Sequence, residues 1–219
     1  MAVAQHPILL TRRLRLIPLS DEHLESEIRL DADSEVVRFI GNGRPRSREQ
    51  VEQLHLGRVA RGTLLHGLGF WAGFLRAGSP SRPELAGDNG FVGIWILTPP
   101  KPEQLVPLDS QAELGYRVMR KYWRQGLAKE GARELLRYGF EDLALQRVFA
   151  ETMTVNQPSR ATMSSVGMRF ERTFYQEFEE PIPGSEQGEV EYAITREQWQ
   201  ATMQSSGDTL DANPVQEEG

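Results

Sequence analysis

Residues 113–140, ELGYRVMRKYWRQGLAKEGARELLRYGF, gather most of the groups in this chain whose types and spacing can do chemistry. Leu114, Tyr116 and Val118 alternate with Glu113, Gly115 and Arg117, the period of a half-buried strand. After a turn through residues 120–123, Leu127, Gly131, Leu135 and Tyr138 recur at spacings of three and four. Glu130, Arg133, Glu134 and Arg137 fall on the other side, as in an amphipathic helix. A strand that feeds a glycine-marked turn and then a helix is an anion site. Unpaired backbone N–H groups and the positive end of the helix dipole converge there, and Gly126 lets a phosphate approach the chain closely. Neither G-x-x-x-x-G-K-[ST] nor G-x-G-x-x-G occurs in the stretch, which sets aside a nucleoside-triphosphatase loop and a dinucleotide fingerprint.

Composition narrows the remaining chemistry. The chain has no cysteine, so disulfides, thiolate metal sites and a cysteinyl acyl-enzyme are excluded. Four histidines (His6, His23, His55, His66) with no H-x-x-x-H pair lead to the expectation of no metal. The formal charge is −6, and the four acids after residue 200 carry −4 of it with no Lys or Arg to offset them. The rest is close to neutral, so nucleic acid is not an expected partner. No run approaches the ~18 apolar residues of a membrane span, and the first residues carry no basic segment followed by an apolar one. A cytoplasmic protein, monomer or homodimer, is expected. Its 219 residues suit a single domain over 1–200 followed by an acidic, disordered tail over 201–219.

The elements that must position the stretch can be read in order. Residues 8–19 read as a first strand, with Leu14 and Leu16 alternating with Arg13 and Arg15, and Pro18 ending it. Ser20 opens a helix through about residue 30. A turn at 41–45 leads to Ser47, which caps a helix over 48–60 with Val51, Leu54 and Val59 as its buried stripe. Arg44, Arg46 and Arg48 offer cations to an acidic ligand, against the plainer reading of a solvated basic turn. Strands follow at 70–75 and 91–97, with Trp71, Trp95 and Phe91 as core residues. Gly/Pro-rich loops occupy 76–90 and 98–110. After the central helix come a strand at 147–154, a helix from Asn156 to about residue 166, and strands at 168–178 and 189–195. A short terminal helix is expected at 195–199.

Glu113-Leu-Gly-Tyr116 followed by Tyr122-Trp-Arg-Gln-Gly-Leu-Ala128 resembles motif A of the GNAT superfamily of acyl-CoA-dependent N-acetyltransferases. Within it, the string is most similar to the Rim-type branch, which acetylates the N-termini of ribosomal proteins. The superfamily's wider pattern is [QR]-x-x-G-x-[GA], and Trp123 stands where its Gln or Arg would be. The start T-x-R-L-x-L-x-P-L is also similar to that branch. Asn156-x-x-Ser159, Met163 and Gly167-Met-Arg-Phe170 resemble motif B. The resemblance spans about residues 9–199. It implies an α/β (α+β) fold: a mixed, mostly antiparallel sheet of six to seven strands, splayed between the fourth and fifth, flanked by about four helices.

The resemblance also implies acetyl-CoA as co-substrate and an amine as acceptor, either a protein N-terminus or a small-molecule amine. Direct transfer within a ternary complex is expected, since no cysteine can carry the acyl group. Backbone groups of Tyr116, Arg117, Val118 and Met119 would meet the pantetheine arm. Those of Arg124, Gln125, Gly126, Leu127, Ala128 and Lys129 would receive the pyrophosphate, with Arg124 or Lys129 adding charge. Asn156 would bond the donor arm or simply start a helix. Glu113 is the first candidate for the general base and Glu151 the second, with a chain of waters as the third. Many relatives protonate the leaving thiolate with a tyrosine where this chain has Met163, which cannot donate. Ser159 is the alternative donor, or it contacts the pantetheine arm or simply caps the helix. The rival function is a non-catalytic acyl-CoA sensor or interaction protein on the same scaffold.

Overall fold

The structure, a computed structural model, describes residues 6–76, 90–100, 110–177 and 180–207. Eight strands form one sheet in the order β1-β2-β3-β4-β5-β6-β8-β7. They are β1 (Leu9–Leu10), β2 (Leu14–Pro18), β3 (Gly69–Leu75), β4 (Phe91–Thr98), β5 (Gln111–Val118), β6 (Arg147–Met153), β7 (Arg169–Phe174) and β8 (Glu189–Thr195). All neighbours are antiparallel except β5 and β6. The helices are α1 (Leu24–Asp31), α2 (Ser34–Val37), α3 (Arg48–Gly62), α4 (Leu127–Arg137), α5 (Gln157–Ser165) and α6 (Arg196–Gly207).

The expected first strand is in fact a hairpin. Thr11 N–H donates to Leu14 C=O (2.9 Å), and Leu14 N–H returns a bond to the Thr11 hydroxyl (2.8 Å). This folds β1 back on β2, with Leu9 opposite Leu16. A threonine side chain competing for backbone partners breaks what alternation alone reads as one run. The terminal helix is longer than expected and runs to Gly207, so the first residues of the expected tail are helical. Trp199 anchors it, nearly fully buried with its ring 5.9 Å from Phe140. The strand expected at 168–178 is shorter and ends at Phe174, with residues 175–177 outside it. The loops expected at 76–90 and 98–110 and the tail beyond 207 lie largely outside the described residues.

Each face of the sheet carries helices. On one, α4 and α5 cover Leu97, Leu114, Val148 and Ile194. Trp95 forms the contact there: a Cβ at Gly131 would lie 2.3 Å from its indole nitrogen, and one at Gly73 would lie 2.2 Å from its ring. Both glycines therefore let helix and strand close around one large side chain. The four apolar positions expected on α4 and its continuation, Leu127, Gly131, Leu135 and Tyr138, are all buried.

The other face packs against α1 and α3 through Leu30, Phe70, Ala72 and Ile94. An ionic cluster lies in that layer. Arg117 of β5 donates to Asp31 (3.0 Å) and Glu27 (3.2 Å) of α1, and Glu27 also meets His55 (2.8 Å) and Arg58. His55 thus takes the buried place that periodicity assigned to Leu54, which is 41% exposed. Buried carboxylates demand partners, and His55 is the side chain on α3 whose ring reaches Glu27. The basic turn is also paired: Arg46 with Asp31, Arg48 with Glu25 and Glu52, and Arg44 with Glu180.

Candidate active site

Strands β5 and β6 pair only at Gln111–Arg147, Ala112–Val148 and Glu113–Phe149. Beyond that point β5 continues to Val118 and β6 to Met153, so the sheet splays and one edge of each strand opens. Which β5 groups face the opening follows from register. Met119 N–H donates to Val92 C=O (2.9 Å), and Ile94 stands opposite Arg117. Hydrogen-bonded residues alternate in an antiparallel pair, so Gly115, Arg117 and Met119 turn their backbone groups to β4. Leu114, Tyr116 and Val118 turn theirs to the opening. Of the four residues expected to meet a pantetheine arm by backbone, Tyr116 and Val118 are placed for it and Arg117 and Met119 are not. The Val118 carbonyl is taken in addition by the Trp123 indole N–H (2.6 Å).

The chain then turns through residues 120–122 and reaches the start of α4. Arg124 and Gly126 both have left-handed backbones, with φ of 59° and 75°. The first hydrogen bond of the helix runs from Glu130 N–H to Gly126 C=O (3.0 Å), and no side chain caps its first turn. The N–H groups of Leu127, Ala128 and Lys129 thus precede the ladder and point out of it. Glycine at the exposed position 126 leaves the approach open. A glycine-opened, uncapped helix start beside a free strand edge fits a diphosphate and its attached amide arm. The chain's own geometry therefore suits acetyl-CoA.

Glu113 stands at the vertex of the splay, on the face turned toward α1 and α3. Burial pushes its carboxyl up to about 7; Glu151 pushes the same way and Arg61 opposes. Glu151 lies two residues beyond the vertex on the same face of β6, opposite Glu191. Burial and then Glu191 raise it, while Arg172 and Arg147 oppose. Burial alone would raise Glu191 too, but hydrogen bonds from Arg147 and Arg172 outweigh it and hold that carboxylate low. Glu189, next along this face, is raised by burial and by Glu151. Past Met153 and Glu189 the face opens into a cleft of about 1030 Å³, whose far wall is formed by Phe39, Asn42, Arg46 and Leu54.

On the opposite face, α5 begins beside the open edge of β5. Asn156 caps it, accepting from Ser159 N–H (3.4 Å) while its amide donates to Thr152 (2.9 Å). Both ends of its side chain are thus engaged in starting the helix. The Tyr116 hydroxyl reaches across to Ser159, 3.2 Å from its carbonyl oxygen and 3.3 Å from its hydroxyl. Burial raises the Tyr116 hydroxyl's pKa, opposed by hydrogen bonds from Ser159 and Thr162. Met163 is buried in the core. The structure thus brings together Glu113 with Glu151, and Ser159 with Tyr116. The Tyr116 side chain and Arg61 were missed by sequence reasoning. No local signal distinguishes a strand tyrosine that packs from one that meets a serine 43 positions away.

Residues 13–169 match the Acetyltransferase (GNAT) domain family. The chain is 41% identical over 201 residues to FsC-acetyl coenzyme A-N(2)-transacetylase of Aspergillus fumigatus, spanning 91% of this chain and 80% of that protein. Among solved structures it is similar to a ribosomal alpha-N-protein acetyltransferase in complex with coenzyme A (TM-score 0.66, 16% identity, 86% of this chain and 98% of that one). It is likewise similar to a spermidine N-acetyltransferase from Vibrio cholerae in complex with coenzyme A and spermine (TM-score 0.67, 15% identity, 87% and 99%). At those identities the two structures speak for the fold alone. With the family match covering most of the chain and the motif-A helix start in place, the chain belongs to the GNAT acetyltransferase family and is an acetyl-CoA-dependent N-acetyltransferase.

Proposed function

We propose that this enzyme acetylates a small-molecule amine taken into the cleft beyond Glu151, with Glu113 as general base and Ser159 as proton donor. The observation that carries the reading is the Glu113 carboxyl at the vertex of the splay, half-buried and with its pKa raised to about 7. Bound acetyl-CoA supplies an electrophilic thioester carbonyl and a sulfur leaving group. Uncapped N–H groups at the start of α4 would hold its diphosphate, and Tyr116 and Val118 its amide arm. Glu113 receives the proton of the incoming amine, a task for which a pKa near the working pH is best suited. The Ser159 hydroxyl hands a proton to the departing sulfur and regains one from solvent, with the Tyr116 hydroxyl hydrogen-bonded beside it to hold its position. This gives the site a donor although Met163 faces the core.

A small acceptor is supported by the 41% identity to a transacetylase whose name specifies an N(2) position. The Rim-type resemblance of motif A describes how the donor is held and is compatible with either acceptor. Thiol release with acetyl-CoA, measured across small primary amines and across peptides with free N-termini, tests the proposal. Faster turnover of a small amine supports it, and turnover confined to peptides overturns it.

The carboxylate pair predicts a pH signature. A base must be ionised to act, so kcat/KM rises with pH through about 7 and levels off above it. Glu151 destabilises the ionised form of Glu113. Glu151→Gln should therefore let Glu113 ionise at lower pH and move the acid limb below 7. A limb that stays in place, recorded as a kcat/KM profile for the free enzyme, removes Glu151 from the electrostatics of the base.

A further inference from the structure

The hairpin turn between β1 and β2 lies far in sequence from the start of α4, yet its polar groups converge there. Arg13 Nε donates to Glu130 Oε2 (2.6 Å), and Arg13 N–H donates to Glu130 Oε1 (2.7 Å). The Thr11 hydroxyl donates to the same oxygen (2.6 Å). Arg13 Nη1 goes further and donates to the Gln125 carbonyl (2.8 Å), the peptide unit just before Gly126. The guanidinium lies alongside that glycine, since a Cβ at 126 would come 3.5 Å from Arg13 Nη2. Arg13 and Glu130 side chains keep only 22% and 18% of their exposure, so solvent competes poorly for these bonds.

We infer that Thr11 and Arg13 are positioning residues for the donor site: they fix the Gln125–Gly126 peptide plane and thereby aim the N–H groups that meet the diphosphate. The physical reason lies in the peptide unit. It is planar and trans, so its C=O and N–H point in opposite directions, and no cis bond occurs among the described residues. Holding the Gln125 oxygen toward the hairpin turns the Gly126 N–H away from it, toward the open side of the helix start. Glu130, in the first turn of α4, ties the helix itself to the same clamp. Burial pushes Glu130 up, but the bonds from Thr11 and Arg13 outweigh it and keep the carboxylate ionised. Glu130 also offsets the charge of Arg13, which would otherwise oppose the positive end of the helix dipole.

This inference rests on the donor-site reading, and the test separates the two. The dissociation constant for coenzyme A is measured on the full chain for wild type, Arg13→Met, Arg13→Lys and Thr11→Val, with kcat and KM for acetyl-CoA alongside. A lost charge-assisted bond is worth enough that Arg13→Met should weaken coenzyme A binding about tenfold or more. Its kcat at saturating donor should fall far less than kcat/KM. Lys keeps the charge but cannot hold both Glu130 and the Gln125 carbonyl, so Arg13→Lys should remain defective, and Thr11→Val should show a smaller loss. Wild-type affinity in a folded Arg13→Met variant overturns the inference and leaves the donor site standing. Absence of coenzyme A binding in wild type overturns both. If Arg13→Met does not fold, unaltered binding by Arg13→Lys and Thr11→Val overturns the inference in the same way.

Discussion

Gly126→Val is expected to raise the dissociation constant for acetyl-CoA by at least tenfold while the rest of the chain stays folded. Two effects add. The residue has φ 75° and ψ 11°, a left-handed conformation that a β-branched side chain avoids strongly. Relief of that strain rotates the backbone at the point where α4 begins, and the N–H groups of the first turn lose their common direction. The new side chain also occupies the exposed surface over which a diphosphate would lie. Each charge-assisted hydrogen bond contributes about 1.5–3 kcal/mol, so losing one weakens binding by about 10- to 150-fold. Gly126→Asn is the informative comparison, because asparagine tolerates left-handed backbone. If Val abolishes binding and Asn keeps a good part of it, conformation is the cause. Titration calorimetry with coenzyme A reads the result, and undiminished affinity in the Val variant would sink the assignment of this loop to the donor.

Glu113→Gln is expected to lower turnover by at least about tenfold at unchanged affinity for acetyl-CoA. The amide keeps the shape of the side chain and removes its ability to accept a proton, and positioned proton transfer contributes about 10²–10⁴-fold to rate. The pH profile should change with it: if Glu113 is the base, the acid limb expected near 7 should vanish. The variant should also differ in stability in a defined direction. Burial raises Glu113 above the ordinary carboxylate range, so the folded state holds the proton more tightly than the unfolded one. Its contribution therefore favours folding at low pH and is lost as pH rises through about 7. Gln carries no such penalty, so the variant should match or exceed wild type in thermal stability above pH 7. A full-rate Glu113→Gln enzyme would exclude the residue from proton transfer, whatever its stability.

Much of the framework around the proposed donor site was legible from residue order, for local reasons. Alternation in β5, the three–four spacing of α4 and the glycine between them depend on backbone geometry over a few residues. So does the cap that Asn156 makes on α5. The string from Glu113 to Ala128 was enough to connect the chain with the GNAT acetyltransferases and so with acetyl-CoA. What local pattern misjudged was decided by partners far away in sequence. Residues 8–19 alternate like one strand, yet the Thr11 hydroxyl and Glu130 hold a hairpin turn there across 119 positions. Leu54 fits the apolar stripe of α3, yet His55 is the buried residue because Glu27 is beneath it. Backbone groups of Tyr116 to Met119 look equivalent in sequence, while register with β4 assigns alternate ones to the opening.

Residue type alone marks Glu113 and Glu151 as carboxylates of ordinary acidity. Their acidity changes because packing strips water from Glu113 and places Glu151 within its field. A sequence determines which side chains exist and which local elements they favour. Desolvation, charge coupling and strand register arise only when distant segments meet, so they belong to the tertiary structure.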